Sequence, residues 1–187
     1  VCTDPLTTAS KGAFQVIDDA DVNFSTCTFT DMDTFIFLAN STVLGSVFRR
    51  CGQVTVGGGT FTGCTFDNST ATSAVLAATP AHAALISGSD FISDGTGHGI
   101  TITGTAANIS LNSTSFTGYA GTNGSTGNEA IYVNIATGSM TISITGGGST
   151  PTIRTAGATV TVQNAVTVTV TVKDASTLAP IENARVL

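Results

Sequence analysis

The sequence predicts an all-β protein, a right-handed parallel β-helix with coils of about 24–25 residues, and three observations support this. One short phrase recurs: a large apolar residue, two small or polar ones, then Cys, Ser or Thr, a polar residue and Phe. Its copies begin at Phe24, Phe61, Ile86 and Leu111, and the last three are equally spaced, as expected of stacked structural units. Charged residues are only 10% of the chain, so Thr, Ser, Asn and Gly must cover its surface.

Stacking the copies would place equivalent side chains above one another in the interior, because a single coil cannot bury its own apolar edge. The predicted columns are Phe24, Phe61, Ile86 and Leu111; Cys27, Cys64, Ser89 and Thr114; and Phe29, Phe66, Phe91 and Phe116. A partial copy, Phe48-Arg-Arg-Cys51, begins about one coil length after Phe24. It is too close to Phe61 for a whole coil to lie between them, which leaves the register open there.

The chain can be followed from its N-terminus in these terms. Residues 1–12 are a polar leader, and a first strand precedes the acidic turn at Asp18, Asp19 and Asp21. Each later phrase has a companion strand: Val75 follows Phe61 at the same interval at which Ile100 follows Ile86. After Leu111 the companion at Ile131 is delayed by a Gly-rich loop over 118–127, which we expect to protrude.

The pattern changes at Ser139, where strict apolar and polar alternation begins. Such alternation indicates strands with one buried face. We therefore predict a β-helix over 1–138, a β cap, transition or sandwich edge over 139–172, and a linker or the start of a further module over 173–187. Both ends of the chain look like cuts in a longer polypeptide.

The last quarter of the chain resembles known modules. Residues 173–187, with Asp174-x-x-Thr177, Pro180-Ile181 and Ala184-x-Val186, are similar to the start of carboxypeptidase-regulatory-like or bacterial immunoglobulin-like modules. Residues 146–164 resemble the end cap of β-helical structural proteins of tailed bacteriophages. These resemblances imply a phage or bacterial surface β-protein, and phage β-helices frequently form homotrimers.

Composition excludes several classes of function. A net charge of −6 with six Lys and Arg disfavours a nucleic-acid partner, which requires clustered basic residues. Membrane insertion is also not expected, since the most apolar run, 74–86, is shorter than a bilayer requires. The Gly-rich runs lack the residues of a phosphate-binding loop, so no cofactor is predicted.

Four cysteines, Cys2, Cys27, Cys51 and Cys64, lack metal-ligand spacing, and no metal is predicted. Ser and Thr replace Cys in later copies of the phrase, which favours a small buried residue over a disulfide framework. A disulfide between Cys27 and a cysteine of a neighbouring coil is left open.

Catalysis is the main alternative to a structural role. Gly97-His98-Gly99 is similar to a motif of the polygalacturonase family, which would also require a paired Asp-Asp a little more than twenty residues upstream and an Arg-x-Lys downstream. The adjacent pair here, Asp18 and Asp19, lies much further upstream of His98, and the Arg-x-Lys is missing.

The remaining candidates for catalysis are carboxylates that follow strands. Asp31, Asp67, Asp90 and Asp94 do not share one column, as the pair of a glycosidase would be expected to do. An aspartate after a strand is typically a turn former. We therefore assign no catalytic residue and interpret His98 as a turn residue that opens a strand.

The sequence thus favours a non-enzymatic structural protein of the virion of a tailed phage: a tail or head fibre, spike or capsid-decorating component. It would be an extracellular rigid spacer, a homotrimer in contact with other virion proteins, with a possible contact to a host-surface glycan or protein. The alternatives are a bacterial cell-surface adhesin of the same architecture and a polysaccharide-degrading tailspike.

Overall fold

The recurring phrase forms the corner that joins two strands of a coil, and these corners stack on one another along the fold. The computed structural model describes residues 2–3, 12–16, 22–37, 40–119, 121–124, 127–164 and 171–181. Their strands stack in parallel through about seven turns, with 3% helix, which confirms the predicted parallel β-helix.

Three faces form the solenoid, and each is built from short parallel strands of successive coils. Sheet A contains β1 (Cys2–Thr3), β4 (Thr28–Thr30), β7 (Val47–Arg49), β10 (Thr65–Asp67), β13 (Asp90–Ile92) and β16 (Ser115–Thr117). Sheet B contains β2 (Phe14–Val16), β5 (Phe35–Phe37), β8 (Val54–Val56), β11 (Ser73–Ala77), β14 (His98–Ile102), β17 (Ile131–Val133) and β19 (Ile153–Thr155).

The third face is divided between two sheets. Sheet C contains β3 (Asn23–Ser25), β6 (Thr42–Leu44), β9 (Thr60–Thr62) and β12 (Ile86–Ser87). Sheet D contains β15 (Ile109–Asn112), β18 (Ser139–Thr145) and β20 (Thr159–Asn164). Sheet D continues the face of sheet C, because the N–H of Gly88 donates to the carbonyl of Asn112 at 2.8 Å. One short helix, α1 (Pro80–Ala83), lies between β11 and β12 and is capped by Thr79.

The register left open near Phe48 is settled by strand pairing. Phe48 pairs with both Phe29 and Phe66, and Val43 pairs with both Phe24 and Phe61. The intervening copy of the phrase is therefore Val43 to Phe48, and Cys51 does not lie in the column of small residues.

The predicted coil length holds for only part of the stack. Paired residues in sheet A are 25 apart from β10 to β13 and from β13 to β16, but 18 apart from β7 to β10. Much of the extra length lies at the corner after sheet B, where residues 78–85 replace residues 57–59 of the coil before. Strand lengths change little, so the difference in coil length lies in the corners.

The predicted column of phenylalanines is an interior stack. Rings of Phe29, Phe48, Phe66, Phe91 and Phe116 follow one another at centroid distances of 4.8–5.2 Å and interplanar angles of 8–21°. In-register pairing imposes this stacking, because adjacent parallel strands are themselves about 4.8 Å apart. Burial of these rings supplies much of the apolar stabilisation of the stack.

The column of small residues is a ladder of side-chain hydrogen bonds. The hydroxyl of Ser46 accepts from the N–H of Cys27 at 3.1 Å, and that of Ser89 accepts from the N–H of Cys64 at 3.2 Å. The thiol of Cys64 and the hydroxyl of Thr114 donate to carbonyls of the preceding coil. Cys, Ser and Thr exchange here because each is small and can donate one hydrogen bond from inside the corner.

A left-handed backbone conformation forms the corner immediately before this column. Thr26, Gly45, Gly63, Gly88 and Ser113 all have φ between 52° and 63°. Glycine adopts this conformation without the steric cost that a Cβ imposes, which explains why Gly fills the third position of the phrase in three copies.

Cys27 and Cys64 are free thiols, and the thiol of Cys51 donates to backbone carbonyls of Phe29 and Arg49. The stacked neighbour of Cys27 is Ser46 rather than a cysteine, so a disulfide of Cys27 within the column is not formed. Burial raises the pKa of the Cys64 thiol.

The alternating segment that begins at Ser139 lies on the same stack. β18 pairs in parallel with both β15 and β20, and β19 pairs in parallel with β17. Parallel coils therefore extend to Asn164, while the proposed division into domains stays a prediction. Residues 1 and 4–11 of the leader, the acidic turn 18–21 and residues 165–170 and 182–187 lie outside the described residues.

Beyond the stack, residues 171–181 form a tight turn with one antiparallel bridge between Lys173 and Pro180. The carboxylate of Asp174 accepts hydrogen bonds from the backbone and hydroxyl groups of Ser176 and Thr177, which lower the pKa of Asp174. The resemblance to an immunoglobulin-like module stays a prediction. Among the described residues, no helix has the length and apolarity needed to cross a membrane.

Candidate functional site

An open groove with a volume of about 660 Å³ lies over the corner between sheets A and B. Residues of five successive coils line it: Arg50; Asn68, Ser69, Thr70, Ala71 and Thr72; Asp94, Thr96, Gly97 and His98; Gly127; and Arg154. An adjoining hollow of about 220 Å³ on the outer face of sheet B shares Thr72, His98 and Arg154 with the groove. The two spaces therefore form one continuous surface that crosses the coils.

His98 is at the centre of this surface, at the start of β14. Its side chain is 6% exposed, and Nδ1 lies 2.8 Å from the backbone carbonyl of Glu129. A carbonyl can only accept, so Nδ1 carries a hydrogen and donates it, which leaves Nε2 as the ring nitrogen open to another partner. His98 thus opens a strand, as the sequence predicted, and is in addition a fixed, buried imidazole.

Glu129 lies directly above His98 in the next coil and is fully buried. Its Oε2 is 3.8 Å from Nδ1 of His98 and accepts a hydrogen bond from the N–H of Gly127 at 3.2 Å. These contacts with the stacked backbone set the orientation of the imidazole beside the groove.

Arg154 and Tyr132 form the other half of the surface. The guanidinium carbon of Arg154 lies 4.5 Å from the centroid of the Tyr132 ring, and that ring is 5.3 Å from the ring of His98. Sheet B register explains this contact, because Tyr132 and Arg154 are paired and project outward. Among the residues that the structure describes, Arg154 forms no ion pair, whereas Arg49 and Arg50 pair with Asp67 and Asp31.

The carboxylates singled out from the sequence have structural partners. Asp31 receives two hydrogen bonds from Arg50 of the next coil, and Asp67 receives one from Arg49. Asp90 hydrogen-bonds to Ser115 of the following coil. These three bridge neighbouring coils, and of the four only Asp94 lines the groove.

Asp94 stabilises its own turn. Its Oδ1 accepts from the backbone N–H of Thr96 at 3.2 Å and from the Thr96 hydroxyl at 2.8 Å, and its side chain is in contact with solvent. This is the behaviour of an Asx turn, as expected of an aspartate after a strand. Asp18 and Asp19 lie outside the described residues.

Packing accounts for the two glycines that flank His98. Gly97 has φ +67°, and a Cβ there would lie 3.1 Å from the carbonyls of Ala71 and Thr72. A Cβ at Gly99 would lie 3.0 Å from the Ala130 carbonyl and 3.1 Å from the Phe116 ring. The Gly-His-Gly motif is therefore required by close contact between coils, independently of any catalytic role.

Several described residues of the Gly-rich loop over 118–127, and Asn128 beside it, are hydrogen-bonded to neighbouring coils. Asn128 donates to the carbonyl of Gly95 at 3.0 Å, and the N–H of Gly124 donates to the carbonyl of Ile153 at 2.9 Å. The side chain of Asn123 accepts from the N–H of Ile153 at 2.7 Å. Through these contacts the loop places Gly127 at the rim of the groove.

The sequence identified His98 and Asp94 but not Glu129, Tyr132 or Arg154. A signal for Glu129 was present, since residues 129, 131 and 133 share the inward phase of one strand, and a glutamate in that phase must be buried. Arg154 and Tyr132 gave no such signal, because their contact depends on which coil is stacked on which. Within the described part of the chain, no group of three or more His, Cys, Asp or Glu side chains is placed to hold a metal ion.

Comparison with known proteins gives no match to any family model, curated protein or solved structure.

Proposed function

We propose that this chain is a non-enzymatic structural component of the virion of a tailed bacteriophage: a fibre, spike or capsid-decorating protein. Its solenoid would be a rigid extracellular spacer. The chain would form a homotrimer, and its partners would be other virion proteins. The observation that best supports this proposal is the uninterrupted stack of coils with one continuous aromatic column.

A stack of this kind suits a mechanical role. About seven turns, at roughly 4.8 Å for each turn, extend the solenoid by roughly 30 Å. Each coil is joined to the next by parallel hydrogen bonds, by stacked rings and by bridges such as Arg50 with Asp31. Bending would disturb all three, which favours a stiff rod over a flexible linker.

The phage assignment itself rests on the resemblance of residues 146–164 and 173–187 to phage and surface modules. Immunogold electron microscopy of purified phage particles, with an antibody against this chain, is the direct test. Labelling at one defined position on the particle is expected. Labelling of uninfected bacterial cells, with none on particles, would instead select the adhesin alternative.

The trimer can be tested separately by sedimentation velocity of the purified chain. A species of about three times the 18.7 kDa chain mass is expected. A single species at the chain mass would contradict the trimer and leave the spacer role in place.

A polysaccharide-degrading tailspike is the second candidate, favoured by the groove with His98 and Asp94. Host polysaccharide should be incubated with the wild type, His98→Ala and Asp94→Ala, followed by measurement of reducing ends. The structural proposal expects no release by any of the three. Release by the wild type that either substitution abolishes would overturn the non-enzymatic assignment.

A further inference from the structure

We propose that the groove is a binding site for a glycan strand that contains carboxylates, with Arg154 as the residue that recognises a carboxylate. Such a site goes beyond the spacer role and does not require it, because it depends only on the groove of this chain. It would give the molecule a chemically defined contact with a polysaccharide surface.

The shape of the groove suits an extended polymer. Its walls come from five coils, and successive coils are about 4.8 Å apart, so the groove is roughly 20 Å long. It is open rather than enclosed, which allows a strand to lie along it. A small molecule would instead be surrounded in a closed, largely apolar cavity.

The chemistry of the lining suits a ligand rich in hydroxyl groups. Side chains with hydroxyl or amide groups make up most of the walls of the groove and of the hollow beside it: Gln53, Asn68, Ser69, Thr70, Thr72, Ser73, Thr96, Thr101 and Asn134. A peptide that binds as an amphipathic helix would need a stripe of large aliphatic side chains, and none is present among these lining residues.

Asn68 provides an independent indication of a ligand. Its side-chain oxygen is buried without a hydrogen-bond partner among the described residues. A buried acceptor without a donor costs free energy, and a small rotation of the amide toward the groove would let a sugar hydroxyl donate to it.

Arg154 determines the charge of the ligand. Arg50 at the opposite end is neutralised by two hydrogen bonds to Asp31, and Asp94 is engaged by Thr96. Arg154 forms no ion pair with any described residue, and its guanidinium lies over the ring of Tyr132. A planar guanidinium held in this way matches the geometry of a carboxylate.

His98 adds a second polar group close to Arg154. Because Nδ1 donates to the carbonyl of Glu129, Nε2 is the nitrogen left to bind a ligand. Both side chains line the groove and the adjoining hollow, so one sugar residue could contact both.

The net charge of the chain determines how strongly the glycan is expected to bind. The chain has a net charge of −6, which repels a polyanion at long range. One groove guanidinium that forms no ion pair with any described residue therefore predicts selective but weak binding.

The test uses short alginate oligosaccharides and the same oligosaccharides after reduction of their carboxylates to alcohols. Calorimetric titration of the full chain should show at least about tenfold tighter binding of the carboxylated form, the size expected for one charged hydrogen-bonded contact. Arg154→Gln should abolish that preference, and Arg154→Lys should keep part of it. Circular dichroism and the unfolding midpoint establish that each variant is folded.

Arg49→Gln is the matched control, because Arg49 is exposed, forms one ion pair and does not line the groove. It should bind like the wild type. Asn68→Ala supplies a second line of test and should weaken binding of both oligosaccharides equally. Equal binding of the two oligosaccharides by the wild type, no binding of either, or unchanged selectivity in folded Arg154→Gln would each overturn the proposal.

Discussion

The early and late coils of the solenoid differ in length and in the side chains that fill their interior. From Phe29 to Phe66 the paired residues of sheet A are 18 or 19 apart, and aromatic rings fill the interior. Phe35 and Phe48 meet edge to face at 5.1 Å, as do Phe37 and Phe61 at 5.2 Å. These coils have short corners.

Later coils are longer and aliphatic. Leu111 pairs with Ile144 in sheet D across a coil almost twice as long as the early ones, and Ile100, Ile131 and Ile142 are fully buried. The strands keep their phase while the corners take up α1 and the loop over 118–127. The interior therefore tolerates only in-register stacking, whereas insertions at corners are free to build a surface such as the groove.

The largest effect is expected from truncating the ring column where the two regions join. Phe66→Ala should destabilise the chain by about 3 to 5 kcal/mol, because Phe66 is buried between two stacked rings and a cavity would remain. Phe116→Ala, at the half-buried end of the column, should cost clearly less. Urea unfolding measures both, and equal losses would contradict the lower burial of Phe116 at the end of the column.

The corner before the small-residue column allows a direct comparison of early and late coils. At Gly63, φ is +62° and an added Cβ would meet open space, so Gly63→Ala should cost about 1 to 2 kcal/mol from backbone strain alone. At Gly146, φ is +61° and an added Cβ would clash with side-chain oxygens of Asn112 and Ser113. Gly146→Ala should therefore lower the unfolding midpoint more than Gly63→Ala, and the reverse order would contradict the crowding of the late corner.

Substitution in the ladder of small side chains should lower the free energy of unfolding by as much as the glycine substitutions, or by less. Ser89→Ala removes the acceptor for the buried N–H of Cys64, and an unsatisfied buried donor costs about 1 to 3 kcal/mol. Ser87→Ala is the control, because Ser87 is only half-buried and lies outside the ladder. If both substitutions leave the free energy of unfolding unchanged, the ladder does not stabilise the stack.

The smallest perturbation is chemical labelling of the thiols. Burial raises the pKa of Cys64, so its reactive thiolate is scarce near neutral pH and becomes populated only as the pH rises beyond the usual range for a thiol. Alkylation of the folded chain should modify the half-buried Cys27 well before Cys64, as peptide mass spectrometry can follow. Similar rates in the folded chain would contradict the burial of Cys64, and similar rates in urea are the expected control.

Sequence patterns predicted the stacking because similar side chains recur in a fixed order inside the phrase. They missed the copy from Val43 to Phe48 for two reasons: Leu44 and Val47 replace its polar positions, and its spacing differs from that of the later copies. The sequence identified the motif around His98 but not the reason for its two glycines, because the close contacts of Gly97 and Gly99 involve residues of neighbouring coils.

The order of residues along the chain was enough to determine the fold class, the inward phase of the strands and most members of the three interior columns, because these depend on local alternation and on repetition. The length of each coil, and the meeting of His98, Glu129, Tyr132 and Arg154 on one surface, were settled only in three dimensions. The physical reason is that strand register fixes which coils are neighbours, and corner insertions of unequal length then bring together residues that no constant spacing relates.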